Sequence, residues 1–275
     1  MKKISITLKK NEFQKSDITE IFENITYTQK EENWEIEIFT KNFNRDIKIV
    51  KNLFKNNIKT IKDLKNINWV KNYQKNDLGV ETEFFFFSQN TKTQNKRKKF
   101  KITLPNSKAF GTGKHESTHL AIKNIESIAK KKKIHQSCDI GTGSGILSFV
   151  LKKLTMKKVV ATDIDDQSES VFYENKHNNS LNGIQFFRCD GLRSKKLMKM
   201  KFDLIVVNIY LNPLKRMGKE LSKNIKFGGF LIVSGILDSQ KNDLINFFNK
   251  INLTLTKTIC LRDWVSLIFI KKKIK

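Results

Sequence analysis

Between residues 3 and 62 the apolar positions come in two rhythms. Ile4, Ile6 and Leu8 alternate with polar residues, the pattern of a strand buried on one face. Ser16 followed by Ile18, Ile21, Phe22 and Ile25 has helical spacing behind a capping residue. Ile25-Thr26-Tyr27-Thr28, a polar turn near Glu31-Glu32-Asn33, and Trp34 to Phe39 read as a hairpin. Ile47, Val50, Leu53 and Phe54 suit a second helix, and Ile58 to Ile61 a last strand. The order β-α-β-β-α-β is the ferredoxin-like arrangement. It carries no catalytic constellation, so residues 1–62 are expected to form a recognition domain.

Residues 63–76 read as a polar helical connector with Trp69 and Tyr73 on one face. Beyond it, over 77–275, the pattern changes. Phe84 to Phe87 is apolar enough for a buried strand, and Phe100 to Leu104 is extended, with a basic loop at 91–99 between them. From there short apolar runs alternate with helical segments, the signature of βα units around a mostly parallel sheet. The expected strands are Ser137 to Ile140, Val159 to Asp165, Gln185 to Asp190, Phe202 to Tyr210 and Phe230 to Ser234. A helix over Ser239 to Phe248 and two closing strands, Leu253 to Leu261 and Trp264 to Ile270, complete the chain before a basic tail. The fold class is therefore α/β, a Rossmann-like domain behind a small α+β domain.

The chemistry gathers where the first of these strands ends. Asp139-Ile140-Gly141-Thr142-Gly143-Ser144-Gly145-Ile146-Leu147 places three glycines between a strand and an apolar helix, where the backbone turns sharply and approaches a ligand closely. Asp163 closes the next strand about twenty positions after Gly141, the place of a carboxylate that binds ribose hydroxyls. The third glycine comes too early for the dinucleotide form and no Lys-Ser/Thr follows, so a cofactor without a pyrophosphate fits better. A second glycine loop, Ala109 to Thr118, opens a helix whose first turn holds Thr118. Its His115 and His119 have the spacing of two ligands on one helix face, but no third ligand accompanies them, which disfavours zinc. Asn208 ends its strand on the edge where open α/β sheets bind ligands, and as a bare sequence feature it is also a candidate helix N-cap.

Composition adds two points. The formal charge is +26, which ordinarily points to nucleic acid. Abundant Lys, Asn, Ile and Phe beside two prolines also match an AT-rich coding bias, so much of the charge reads as a solvated lysine coat. The three cysteines, Cys138, Cys189 and Cys260, are widely separated, which argues against a disulfide framework or a metal cluster and for a reducing compartment. No apolar run approaches the ~20 residues of a membrane helix, and a cytoplasmic location is expected.

Four blocks carry a resemblance: Ala-Phe-Gly-Thr-Gly-Lys-His-Glu-Ser-Thr at 109–118, the glycine turn at 139–147, Ala-Thr-Asp-Ile-Asp at 161–165 and Val-Asn-Ile-Tyr at 207–210, with Ser-Gly-Ile-Leu at 234–237 and Trp264-Val265 adding to it. Together they resemble the class I S-adenosylmethionine-dependent methyltransferases, and more narrowly the PrmA family, which methylates large-subunit ribosomal protein eleven. One block departs: where the family carries an Asp/Glu-Pro-Gly run, this chain has Pro105-Asn106-Ser107-Lys108. The resemblance implies S-adenosyl-L-methionine as cofactor, held by Thr118, Gly141, Asp163 and Asn208, with Phe110, Gly143 and Asp190 nearby. It also implies that Asn208, Ile209 and Tyr210 align the amine, through carbonyl oxygens that aim its lone pair. The ribosomal protein, free or on the ribosome, would be the partner, with no membrane and no sequence-specific nucleic-acid contact. Two other readings stay open at this level. One is a nucleic-acid methyltransferase, since Asn208-Ile209-Tyr210 superficially echoes an Asn-Pro-Pro-Tyr sequence. The other is a non-catalytic basic ribosome-binding protein.

Overall fold

The computed structural model describes residues 2–16, 18–22, 25–40, 42–63, 79–90, 97–105 and 115–272. The connector with Trp69 and Tyr73, Phe110 with the glycine loop at 106–114, most of the basic loop (91–96) and the last three residues lie outside them. The chain divides into two units, Met1–Tyr73 and Gln74–Lys275.

The first unit is one antiparallel sheet of β1 (Lys2–Lys9), β2 (Ile25–Lys30), β3 (Asn33–Thr40) and β4 (Ile58–Asp63), in the order β2-β3-β1-β4. Ile4 and Ile6 face Ile38 and Ile36 across the β1/β3 ladder and Leu8 faces Trp34, and all but the partly buried Trp34 are buried. Helix α3 (Phe43–Phe54) buries Ile47 and Val50 in the same core. The segment before β2 differs from the sequence expectation. A six-residue helix α1 (Lys10–Lys15) ends where the Ser16 hydroxyl and backbone N–H both donate to Phe13 O, so Ser16 stops a helix instead of starting one. A four-residue helix α2 (Ile18–Ile21) follows, and Ile25 already belongs to β2.

The second unit is built on a seven-stranded sheet. Its strands are β8 (Gln136–Ile140), β9 (Lys158–Asp163), β10 (Ile184–Arg188), β11 (Phe202–Asn208), β12 (Ile225–Leu237), β13 (Leu253–Leu261) and β14 (Trp264–Lys271), in the order β10-β9-β8-β11-β12-β14-β13. The first five are parallel, and β14 runs antiparallel to both of its neighbours. Helix α4 (Glu116–Ala129) precedes β8, α5 (Ile146–Thr155), α6 (Asp166–Asn178) and α7 (Leu211–Asn224) connect parallel strands, and α8 (Lys241–Asn249) joins β12 to β13. A side sheet of β5 (Val80–Glu81), β6 (Phe85–Ser88) and β7 (Phe100–Thr103) adds Phe85, Phe87 and Ile102 to the core cluster that α4 and α5 share with one face of the large sheet. A second cluster, with Leu214, Leu221, Leu244 and Phe248, covers the other face. Parallel strands covered on both faces must be apolar throughout, and Leu204 to Val207 of β11 are fully buried.

This strand order fixes the functional edge. Chain direction reverses its walk across the sheet between β8 and β11, and the carboxyl ends of strands at such a switch point are where open α/β sheets bind ligands. The loop after β8 is the glycine turn and the loop after β11 is Ile209-Tyr210.

Candidate active site

The turn after β8 is held by its own backbone and by two aspartates. Gly141, Gly143 and Gly145 have φ of 69°, 51° and 90°, a region that costs other residues roughly 1–2 kcal/mol. At Gly141 space is short as well, because a Cβ there would lie 2.7 Å from Cγ2 of Ile209. The Gly141 and Thr142 N–H groups donate to Thr162 O at 2.8 and 3.0 Å, tying the turn to β9.

Asp139 is the first aspartate. It is fully buried in β8, and Oδ2 accepts from Thr142 Oγ1 (2.6 Å), Ser148 N (2.9 Å) and Ser148 Oγ (2.8 Å), locking the turn to the first turn of α5. Oδ1 has no protein partner. Burial is the main cause that raises its pKa to about 6, against the three hydrogen bonds that lower it. Asp139 was quoted in the glycine motif without a role, and only its surroundings reveal one.

Asp163, the second, ends β9 as the sequence pattern anticipates. Its Oδ2 accepts from Gly143 N at 2.8 Å and its Oδ1 from Asp165 N at 3.1 Å. A carboxylate offers about four acceptor positions, so two remain for the paired hydroxyls of a ribose. Asp165 caps α6, accepting from Gln167 N at 3.0 Å. Asp190 stands differently from expectation. Strand β10 stops at Arg188, and Asp190 sits two residues later with its carboxylate paired to Arg193 Nη1 at 2.7 Å.

Across the crevice, Asn208 is the last residue of β11 and Thr118 lies in the first turn of α4, fully buried. Asn208 Nδ2 donates to Thr118 Oγ1 at 3.2 Å, while Asn208 Oδ1 is buried and has no protein partner. Asn208 is not a helix cap, since the N-cap of α7 is Tyr210. Tyr210 belongs to that cap and not to the strand; its side chain is about half-exposed, and burial of the remainder raises the phenol pKa. Its carbonyl accepts from Leu214 N at 3.3 Å as the first link of the helix.

Two residues that sequence reasoning quoted but gave no role complete the arrangement. Gly235 lies in β12 at a register shift, with φ of 80°. A Cβ there would come within 2.8 Å of Ile209 O and 3.0 Å of Asn208 Oδ1. An isolated glycine inside an apolar strand is the signal that could have found it. Its neighbour Ser234 is buried and donates to Ser117 O at 2.8 Å, so the Ser234-Gly235 pair touches both the Thr118 turn and the Asn208 loop.

Of the two histidines at the start of α4, His115 has a structural role. His115 caps α4, its Nδ1 within hydrogen-bond distance of Ser117 Oγ (2.8 Å) and its ring edge-on to Trp264. Burial lowers the pKa of both His115 and His119. Among the described residues no group of three or more His, Cys, Asp or Glu is placed to hold a metal ion, and no helix is long and apolar enough to cross a membrane.

A parallel sheet with an antiparallel β14, a glycine turn after its first strand and an acid after its second define a Rossmann-like methyltransferase. The family model described as "Ribosomal protein L11 methyltransferase (PrmA)" matches residues 2–272, and the chain belongs to that family. A ribosomal protein L11 methyltransferase of Agrobacterium fabrum is 36% identical over 168 residues, 60% of this chain and 58% of the relative. One of Rhizobium meliloti is 30% identical over 207 residues, 74% of this chain and 71% of the relative. The first curated relatives are thus matched over 58% of their own length. The crystal structure of a ribosomal protein L11 methylase from Lactobacillus delbrueckii subsp. bulgaricus superposes with a TM-score of 0.64 at 29% identity, covering 70% of this chain and 97% of that one.

Proposed function

We propose that this chain transfers methyl groups from S-adenosyl-L-methionine to amino groups, lysine side chains or the N-terminal amine, of ribosomal protein L11 in the cytoplasm. The observation that carries the reading is the Asn208–Thr118 contact at the switch point, with the unpartnered Oδ1 of Asn208 beside it. Family membership and the relatives' printed names support the substrate. Asp163 would hold the ribose, the Gly141 and Gly143 backbone would leave room for the methionine portion, and Thr118 would take its charged end, with Phe110 close by. Asp190, paired with Arg193, would border the base. Residues 1–62 would recognise the ribosomal protein, 63–76 would connect, and 77–275 would carry the transfer.

The cofactor, when bound, supplies a methyl group on a positively charged sulfur, open to in-line attack. The remaining work falls to this chain's own residues, chiefly alignment, which is able to contribute several kcal/mol. A lysine ammonium with a pKa near ~10.4 must first lose its proton, at a cost of about 4–5 kcal/mol at neutral pH. A less polar site and the neighbouring positive sulfonium would lower that cost by disfavouring the charged form, with the proton released to water. Asn208 Oδ1 and the Ile209 carbonyl would accept from the neutral amine and point its lone pair at the methyl carbon. The Tyr210 carbonyl, already engaged by Leu214 N, starts the helix behind them.

The test is methyl transfer from labelled S-adenosyl-L-methionine to purified ribosomal protein L11, with ribosomal RNA and DNA as parallel acceptors. Label on the protein's amines is expected. Label on nucleic acid alone would replace this reading with a nucleic-acid methyltransferase, and cofactor binding without any transfer would refute both.

A further inference from the structure

The two edges of the large sheet differ in charge. Turns on the cofactor edge mix acids (Asp163, Asp165, Asp190, Asp238, Asp263) with bases (Arg193, Lys195, Lys196, Arg262). On the opposite edge, where the parallel strands begin and β14 ends, segments 130–135, 156–158, 199–201, 224–227, 250–252 and 271–272 contain lysines and no acid, and 179–183 is uncharged. Two carboxylates meet this edge from other segments and both are engaged: Glu83 pairs with Lys130, and Asp203 pairs with Lys226 at 2.7 Å and accepts from the His135 and Gln136 N–H groups.

A lysine after a helix is explained by the helix dipole, and that covers Lys130–Lys133 and Lys157. Sheets have only small net dipoles, so the dipole does not account for Lys158, Lys201, Lys226 and Lys271 at strand ends. Lys201 stands close enough to Lys271 to disfavour its charge, though desolvation is the larger cause of the lowered pKa there. Such crowding of like charges is relieved by an anion. The edge also carries uncharged contact surface. Phe227 is exposed with Lys271 over its ring at 5.0 Å, and a depression beside β9 and β10 is lined by Phe100, Lys152, Lys153, Met156 and Leu181.

Seven strands spaced ~4.8 Å apart make this edge about 29 Å wide. A row of cations that long suits a polyanion rather than a small ligand, and a nucleic-acid duplex carries one charge per ~1.7 Å of its axis. We infer that the lysine edge of the second unit binds the phosphate backbone of a nucleic-acid duplex, independently of its sequence and away from the cofactor crevice. The observation that carries it is the acid-free run of strand-end lysines facing away from a charge-mixed cofactor edge.

The test measures binding of the full chain to RNA and DNA duplexes of one sequence, and to a scrambled RNA duplex, between 50 and 200 mM salt. The edge variant K157E/K158E/K199E/K201E is compared with K48E/K51E/K55E/K59E in the first unit, which changes net charge equally. The expected result is salt-dependent, scramble-insensitive binding that the edge variant weakens about tenfold or more, with a shallower salt slope, while the control variant changes it less than about threefold. The tighter of the two duplexes identifies the natural source. Equal loss in both variants, or no binding to either duplex at 50 mM salt, would overturn the inference. So would edge-dependent binding to phosphatidylserine vesicles without duplex binding, in favour of a lipid surface. Circular dichroism of both variants separates lost contacts from lost fold.

Discussion

Asn208 and Thr118 lie 90 positions apart in the chain and share one hydrogen bond, Nδ2 to Oγ1 at 3.2 Å. That bond uses the donor end of the amide and leaves its acceptor end buried without a protein partner. Replacing Asn208 by Ala is therefore expected to lower kcat by about 100-fold through lost alignment, while calorimetry shows cofactor affinity changed only a few-fold. Thr118→Val removes the partner but keeps the volume. It is expected to lower turnover less than Asn208→Ala, because the amide loses its anchor and keeps its acceptor. A larger loss in Thr118→Val than in Asn208→Ala would sink this assignment of roles.

Asp163 predicts a different split. Its carboxylate holds the glycine turn through Gly143 N, and the proposed function gives its remaining acceptor positions to the ribose. Asp163→Ala is expected to weaken cofactor binding by about 10–100-fold, the worth of one or two charge-assisted hydrogen bonds, as read by calorimetry. With saturating cofactor, turnover should recover most of the way. A variant that binds normally would show that the ribose lies elsewhere.

Asp139 makes stability depend on pH in the less usual direction. Its folded pKa is raised to about 6 from an ordinary 3.8, so between those values the folded state holds more protons than the unfolded one. Stability then falls as pH rises across that window. Asp139→Asn should remove this part of the slope, roughly 2 kcal/mol between pH 4 and 7. Urea unfolding of both proteins at those two values measures the difference, and parallel slopes would rule it out.

Gly235 tests whether the loop carrying Asn208 is shaped from behind. A methyl group at Gly235 would press on Ile209 O and Asn208 Oδ1, and its φ of 80° adds strain of about 1–2 kcal/mol. Gly235→Ala is expected to melt a few degrees lower yet lose turnover out of proportion, with KM for the cofactor little changed. A variant that loses stability but retains kcat would reduce Gly235 to a purely structural turn.

Much of the second unit was legible in advance because local rules govern it. A strand, three glycines and an apolar helix can only be a tight βα turn, and the acid about twenty positions on follows from the length of one βα unit. The strand over Gln185 to Asp190 overran because Asp190 finds its partner in Arg193, three residues on, and so turns out of the ladder. Ser16 misled because a serine is equally suited to end a helix when its hydroxyl finds the carbonyl three residues back.

The sequence alone determined the alternation of strands and helices, the glycine turn with its acid, and the family resemblance, all of which rest on spacing within a few tens of residues. Tertiary structure decided that Asn208 meets Thr118, that Ser234 reaches Ser117, that Gly235 backs the Asn208 loop, and that the acid-free, lysine-bearing turns of the second unit fall on one edge. Each of these depends on which strands lie side by side. Strand order is set by burial across both faces of the sheet, a property of the whole chain that no local pattern encodes.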